Sequence, residues 1–413
     1  MKAEILATGD EIRSGALVDS NSAYISQKLE ETGVEVIRHI TVGDDKSILV
    51  STIKEISRRV DIAVVTGGLG PTQDDCSSEA AAGAADVNLV LDKYALKSME
   101  AFFKKRKHLM SVSNQKQAML PKGAHCISNP VGTAPGFFIK INRCTFFFLP
   151  GVPFEMKKML LASVLPEISS FFGHNRQYCM VKTISTFGLT EAATGEKLAD
   201  FPVKFPEVKI GFRSKFPEIQ VKVYVYGKEE KTLLERMEGA CEYIYGKIGK
   251  KVFSVNGGSM ESEVGRLLAE KKATLAVAES CTGGLISHML TNVPGSSGYF
   301  VFSCTTYSNE SKMAILDVSE KTINTCGAVH EKTAQEMAKG ARRLAGATYG
   351  LATSGIAGPG GGTDDKPVGT VCIGLATEKE EKGFSYYYPF PSRSMNKTIF
   401  AMKALELLRV ELL

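Results

Sequence analysis

The amino-terminal part of the chain alternates between two hydrophobic periods. "AEILATG" (3–9), "VEVIRHITVG" (34–43) and "DIAVVTGG" (61–68) are short apolar runs, and they predict strands. Between them, "SNSAYISQKLEETG" (20–33) and "DKSILVSTIKEISRRV" (45–60) space apolar residues three and four apart. That predicts helices, the first capped near Ser20 and closed by Gly33. Such alternation implies a parallel sheet covered by helices, with ligands gathered at the carboxyl ends of the strands. A helical pattern follows from Ser77 to about Lys107. "GFFIKI" and "TFFFLPG" then predict a pair of short strands, and a helix from about Phe154 to near Phe172 closes the unit.

Between 173 and 256 the rhythm changes. "QYCMVKTISTFG" (strand), "TEAATGEKLADF" (helix), "EVKIGFRS" and "EIQVKVYVYG" (strand pair), a helix over 228–249 and "KKVFSV" (strand) give a β-α-β-β-α-β order. That is the split-βαβ, ferredoxin-like arrangement, suited to a spacer or dimerisation domain. "VNGGSM" (255–260) is the best linker in the chain. A third unit over 257–413 starts with the helix "MESEVGRLLAEKK" and the strand "TLAVAES". It runs through "YFVFSCTTYS", a helix from about Thr333 to Ala345, "YGLATSG" and "GTVCIGLATE", and ends in a long helix from Arg393. The expected class is α/β in three domains, 1–172, 173–256 and 257–413.

Composition narrows the partners. The 413 residues are 44% hydrophobic and 23% charged, as in ordinary globular chains. A net charge of +5 is weak at this length and gives no reason to expect nucleic acid or an anionic membrane as a partner. The basic run "KKRKH" (104–108) reads as a solvated helix end. Nine scattered cysteines, without paired or histidine spacing, argue against a disulfide framework or a thiolate zinc site and suit a reducing cytoplasm. "MKAEILATGD" lacks an export signal, and no apolar run approaches the roughly 20 residues of a membrane span. A soluble, cytoplasmic protein is expected.

The first chemical cluster is "TGGLGPTQDD" (66–75), directly after an apolar strand. Gly67, Gly68 and Gly70 let backbone approach an anion, and Asp74 and Asp75 follow where carboxylates could hold a divalent cation near it. "TGDEI" (8–12) and "DSNS" (19–22) add acidic groups at a strand end and in the next turn. The same residues also read as plain turns and as helix caps for "SSEAAAGAA". With "GTAPGF" (132–137) and "LPGVPFEM" (149–156), these motifs resemble the amino-terminal domain of the CinA (competence/damage-inducible protein) family. That domain is similar to the molybdopterin-binding MoaB/MogA fold. The resemblance implies a three-layer α/β/α domain that hydrolyses ADP-ribose to AMP and ribose 5-phosphate with Mg, Mn or Co. It makes Asp74 and Asp75 the metal ligands, and Asp10, Asp19 and Asn21 a ribose or phosphate shell beside Gly67, Gly68, Gly70, Pro71 and Thr72. Cys76 and Ser77 depart from the family's usual apolar residue and Thr.

The second cluster is "AESCTGG" (278–284), where a strand delivers Ser280 beside a helix start opened by Thr282, Gly283 and Gly284. Free N–H groups and the positive end of the helix dipole can stabilise an oxyanion there. His288 and His330 are not well placed as bases, and Lys312, in "YSNESK" with Tyr307 and Asn309, can serve instead in a Ser–Lys arrangement. A lysine base must be desolvated to be neutral. With no histidine near it, the rival nucleophile Cys281 reads as a small packed residue. "TSGIAGPGGGTDDKPVG" (353–369) supplies Ser354 and a glycine-rich loop suited to phosphate, without the lysine ending of a nucleotide triphosphatase loop.

With "VPGSSGYF" and "KPVGTVCIGLA", this cluster resembles the CinA carboxy-terminal domain and the related nicotinamide mononucleotide deamidase, PncC. The resemblance implies cleavage of the substrate's carboxamide to nicotinic acid mononucleotide and ammonia, without a cofactor. Ser280 is then the nucleophile and Lys312 the base. Tyr307 faces the pyridinium, Ser354 assists, and Gly355, Gly358, Gly360, Gly361 and Arg393 take the phosphate. Thr282, Gly283, Gly284 and Asn309 complete the binding set. The family also implies a homodimer. Two other readings stay open: a scaffold protein in DNA uptake or recombination, and a molybdopterin-handling enzyme.

Overall fold

The computed structural model describes residues 1–171 and 178–413, so the helix end expected near Phe172 and the boundary at 172/173 lie outside the described residues. The chain divides into two compact units. One comprises Met1–Val181 with Tyr224–Met237, the other Lys182–Val223 with Glu238–Leu413.

The amino-terminal elements are β1 (Lys2–Thr8), α1 (Asp10–Arg13), α2 (Ser20–Glu31), β2 (Glu35–Val42), α3 (Lys46–Arg59), β3 (Ile62–Thr66), α4 (Ser77–Ala85), β4 (Leu89–Leu91) and α5 (Lys93–Lys105). They continue with β5 (Met119–Pro121), β6 (His125–Ile127), β7 (Gly136–Ile141), β8 (Cys144–Leu149), α6 (Pro153–Met159) and α7 (Leu165–Ser170). Six strands form one sheet in the order β2-β1-β3-β8-β7-β6, parallel except at β7 and β6. Period-two alternation sorts its side chains. Ile5, Ile62, Val64 and Phe147 pack under α2, α6 and α7, while Leu6, Ala63, Val65 and Phe148 pack under α3, α4 and α5. That makes three layers.

Two departures from the sequence pattern have local causes. The helical patterns expected from Ser77 to about Lys107 form two helices, α4 and α5; the first ends at Asp86, which is left-handed (φ 56°), and between them an unexpected short strand, Leu89–Leu91, pairs antiparallel with Met119–Pro121. The helix after Phe154 contains a π-turn at Leu160–Val164, next to Pro166, whose missing N–H disturbs the i→i−4 ladder.

The middle elements are β9 (Tyr178–Phe187), α8 (Glu191–Lys197), α9 (Phe201–Lys204), β10 (Val208–Lys215), β11 (Glu218–Gly227), α10 (Glu230–Ile248) and β12 (Val252–Ser254). Their sheet order, β10-β11-β9-β12, is that of a split-βαβ unit with one extra helical turn.

The carboxy-terminal elements are α11 (Met260–Glu270), β13 (Leu275–Glu279), α12 (Leu285–Thr291), β14 (Phe300–Thr305), α13 (Asn309–Leu316), α14 (Glu320–Cys326), α15 (Glu331–Ala345), β15 (Tyr349–Gly355), β16 (Thr370–Ala376), β17 (Glu381–Tyr387) and α16 (Arg393–Leu412). The sheet order is β14-β13-β15-β16-β17, with β14, β13 and β15 parallel and the last two strands antiparallel. Large residues cover the face under α11, α12 and α16; alanines cover the other. That second face is thin for a reason. A Cβ on Gly374 would stand 1.9 Å from the Ala334 carbonyl oxygen, and one on Gly350 2.1 Å from that of Ala338, so α15 lies directly on the strands. None of the nine cysteines is in a disulfide. Among the described residues, no helix is long and apolar enough to cross a membrane.

Candidate active site

The fully buried strand β13 ends at Glu279, and Ser280 follows, its N–H held by the Thr353 carbonyl at 2.9 Å. The chain then turns through two left-handed residues, Gly283 (φ 58°) and Gly284 (φ 88°), before α12 begins at Leu285. Only glycine takes two such positions in succession without strain. The helix therefore starts later than its sequence suggests. Its first free N–H groups are also occupied: the buried Glu279 carboxylate accepts from Ile286 N (3.1 Å), Ser287 N (2.9 Å) and Ser287 Oγ (2.7 Å). These amides are unavailable to an oxyanion, and the turn amides of Cys281 and Thr282 lie nearer the Ser280 hydroxyl in sequence.

Thirty-two residues further on, Lys312 enters from α13, which is capped by Ser308. Its side chain is 1% exposed. Nζ lies 3.1 Å from Ser280 Oγ, 2.8 Å from the Thr306 carbonyl oxygen and 3.3 Å from that of Tyr307. A neutral amine has two N–H donors and one lone pair. The carbonyls can take both donors, which leaves the lone pair facing the serine hydroxyl. Desolvation lowers the Lys312 pKa, against the opposing influence of Cys281 and Glu310. Burial pushes the neighbouring Cys281 thiol up to about 12, so it stays protonated and poorly nucleophilic.

These groups border a cavity of about 270 Å³. Ser280, Lys312, Tyr307, Ser354, Gly355, Gly358, Gly360, Gly361 and Arg393 all line it, as do Ala328, Val329 and Ile356, which carry no sequence signal. Arg393 donates to the Gly358 carbonyl (2.6 Å) and the Tyr307 hydroxyl (3.1 Å), which fixes the ring at the cavity mouth. The Ser354 hydroxyl donates to the Ala328 carbonyl at 2.6 Å. Gly355 is needed for close approach, since a Cβ there would meet the Thr370 carbonyl oxygen at 2.5 Å. The remaining expected binding residues stand outside the lining. Thr282 is fully buried against the Thr353 hydroxyl (2.7 Å), Gly283 and Gly284 form the turn, and Asn309 is exposed at the start of α13. Glu279 is the residue sequence reasoning passed over, and its signal was an acid embedded in an otherwise apolar strand.

A second cavity, of about 430 Å³, lies at the carboxyl ends of β1, β3 and β8. Asp19, Asn21, Gly67, Gly68, Gly70, Pro71, Asp74 and Asp75 line it, whereas Asp10 and Thr72 do not. Asp10 pairs with Arg13 (3.0 Å), and its N–H donates to Asp44. Asp19 caps α2 through Ser22 N (2.9 Å). Asn21 donates to Thr66 Oγ1 (3.0 Å) and the Gly151 carbonyl (2.7 Å), leaving its Oδ1 buried and without a hydrogen-bond partner among the described residues. The glycines permit tight packing: a Cβ on Gly67 would meet the Thr8 carbonyl at 2.5 Å, and one on Gly68 would meet Ser77 Oγ at 2.3 Å. Asp75 turns into its own loop, accepting from Thr72 N (2.9 Å) and the Thr72 hydroxyl. Asp74 is exposed on the cavity edge. Burial raises the Asp44 pKa, and Asp10, Glu11 and Asp74 push the same way.

Among the described residues, no three His, Cys, Asp or Glu side chains converge as a metal cage. Asp74, exposed on the cavity edge, could supply one carboxylate to a hard cation of the Mg type, which binds through one or two carboxylates and completes its shell with substrate phosphates.

Fold and site together define an α/β protein with a MoaB/MogA-like amino-terminal layer and a buried serine–lysine pair in its carboxy-terminal sheet. Residues 258–412 match the CinA C-terminal domain model, and residues 4–170 match a probable molybdopterin binding domain model. A CinA-like protein of Desulfosudis oleivorans is 52% identical over the whole length of both chains. A Shewanella oneidensis protein named nicotinamide-nucleotide amidohydrolase PncC is 42% identical, over 100% of this chain and 96% of its own. The solved competence/damage inducible protein CihA from Agrobacterium tumefaciens is 34% identical, covering 38% of this chain and 96% of its own with a TM-score of 0.36. The chain belongs to the CinA-like family.

Proposed function

We propose that the carboxy-terminal unit is an amidohydrolase that converts nicotinamide mononucleotide and water to nicotinic acid mononucleotide and ammonia. The observation that carries this reading is the Lys312 amine, buried, 3.1 Å from the Ser280 hydroxyl and held by two backbone carbonyls. The name of the Shewanella relative supports the substrate class.

In this reading Lys312 takes the Ser280 proton as Oγ bonds to the carboxamide carbon. The carbonyl oxygen becomes an oxyanion held by the turn amide of Cys281, which lines the cavity; one such donor is worth about 2.7–4 kcal/mol of barrier. Lys312 then returns the proton to the leaving nitrogen, the C–N bond breaks, and ammonia departs. Water, deprotonated by Lys312, hydrolyses the acyl-enzyme and restores Ser280. Tyr307 faces the cationic pyridinium, a contact worth roughly 0.5–2 kcal/mol. Arg393 and the glycine loop hold the phosphate. Purified protein should release ammonia from nicotinamide mononucleotide, and Ser280→Ala should abolish it. Unchanged release from that variant would overturn the assignment.

For the amino-terminal cavity we propose hydrolysis of ADP-ribose to AMP and ribose 5-phosphate. A divalent cation there would neutralise charge on the pyrophosphate, with Asp74 as its protein ligand. The acidic rim and the MoaB/MogA-like architecture support this reading. The same proposal takes 1–172, 173–256 and 257–413 as domains of a cytoplasmic homodimer.

A further inference from the structure

A third cavity, of about 550 Å³, lies within the unit that holds β10 and α16 and shares no lining residue with the Ser280 cavity. Its walls are apolar and largely aromatic: Phe216, Ile219, Tyr388, Phe390 and Ile399. The Phe216 and Phe390 rings meet edge-on with centroids 4.9 Å apart. Set into this wall is Glu218, the first residue of β11, only 4% exposed. Its Oε2 has no hydrogen-bond partner among the described residues and is held only by an ion pair, at 3.7 Å, with the amine of Lys215, whose side chain is half exposed. Burial raises the Glu218 pKa, Lys215 opposes the rise, and Glu261 adds to it. Among the described residues no cation besides Lys215 is paired with it. Lys403 is tied to Glu406 at 2.8 Å, and Lys251 and Glu191 are exposed at the rim.

A buried carboxylate oxygen left without a donor is unfavourable, and packing does not require an acid at an aromatic wall. A flat cation would correct both deficits, because its N–H edge can donate to the carboxylate while its ring lies against the aromatic faces. The cavity is large enough for such a small molecule. We propose that this cavity is a binding site for a planar aromatic cation with an N–H donor edge, of the amidinium or protonated amino-heteroaromatic class. Glu218 anchors the charge, and the ring lies against the Phe216–Phe390 pair. The site is separate from the Ser280 cavity and does not depend on the reaction proposed there.

Benzamidine is a suitable probe, with benzamide as its uncharged counterpart. Calorimetric titration of the full chain should give saturable benzamidine binding that Ser280→Ala leaves unchanged. Glu218→Gln should weaken it by about tenfold or more, the usual value of a hydrogen bond to a buried charge. Benzamide should bind the wild-type protein weaker by a similar factor. If Glu218→Gln does not fold by circular dichroism, Phe216→Ala and the benzamide comparison decide, and both must show the loss. Absence of saturable benzamidine binding to the folded wild-type chain would overturn the proposal. So would equal affinity in Glu218→Gln, equal affinity for benzamide, or loss of binding in Ser280→Ala.

Discussion

Lys312 is buried where an ammonium is poorly solvated, and its behaviour with pH follows from that. Its folded pKa lies below the ordinary 10.5. Between the two values the unfolded chain carries one more proton than the folded chain, so stability climbs with rising pH through that window. Lys312→Met should flatten this climb in thermal unfolding measured across neutral to alkaline pH, and should match or exceed the wild type in melting temperature at neutral pH. Deamidase activity should nevertheless fall by about 100-fold or more, as when a positioned base is removed. In the wild type kcat/KM should rise with pH along a limb whose midpoint lies below 10.5, because only the neutral amine can take the serine proton. A rate independent of pH over that range would count against Lys312 as the base. Ser280 and Lys312 were each visible as residue types at a strand end and beside a helix. Glu279 was not seen as a cap, because its partners depend on how the chain turns back at two left-handed glycines.

At the scale of elements, the turn between β13 and α12 controls the Ser280 hydroxyl. Glu279→Gln replaces a charge-assisted cap with a neutral one and should destabilise the protein by roughly 1.5–3 kcal/mol. It should also lower kcat more than it raises KM, since the turn carries the proposed oxyanion amide; denaturant unfolding and steady-state kinetics would read the two effects. Gly283→Ala places a side chain on a left-handed residue and should cost about 1–2 kcal/mol. Most elements followed from their hydrophobic period, as the regular runs of α3 and β13 illustrate. The strand Leu89–Leu91 did not. Its partner, Met119–Pro121, lies some thirty residues away, and "NLVL" alone carries no information about that pairing.

At the scale of the molecule, two cavities of different chemistry share one chain. The serine–lysine cavity uses protein groups alone in the proposed reaction, whereas the amino-terminal rim gathers acids that repel one another. A chelator should therefore leave ammonia release unchanged and suppress ADP-ribose cleavage, with Asp74→Ala reproducing only the second effect. Chromatography of AMP together with an ammonia assay on the same sample would show both. Asp75→Ala should act mainly through stability, because that carboxylate is committed to the Thr72 loop.

The sequence by itself determined most of the elements, the α/β class and the residue types available for chemistry, because period and turn chemistry are properties of neighbours along the chain. Tertiary structure alone decided that Lys312 reaches Ser280, that Asp75 faces its own loop, and that a buried Glu218 oxygen has no hydrogen bond among the described residues. Those facts depend on sheet order and helix approach, which bring together groups that no local spacing relates.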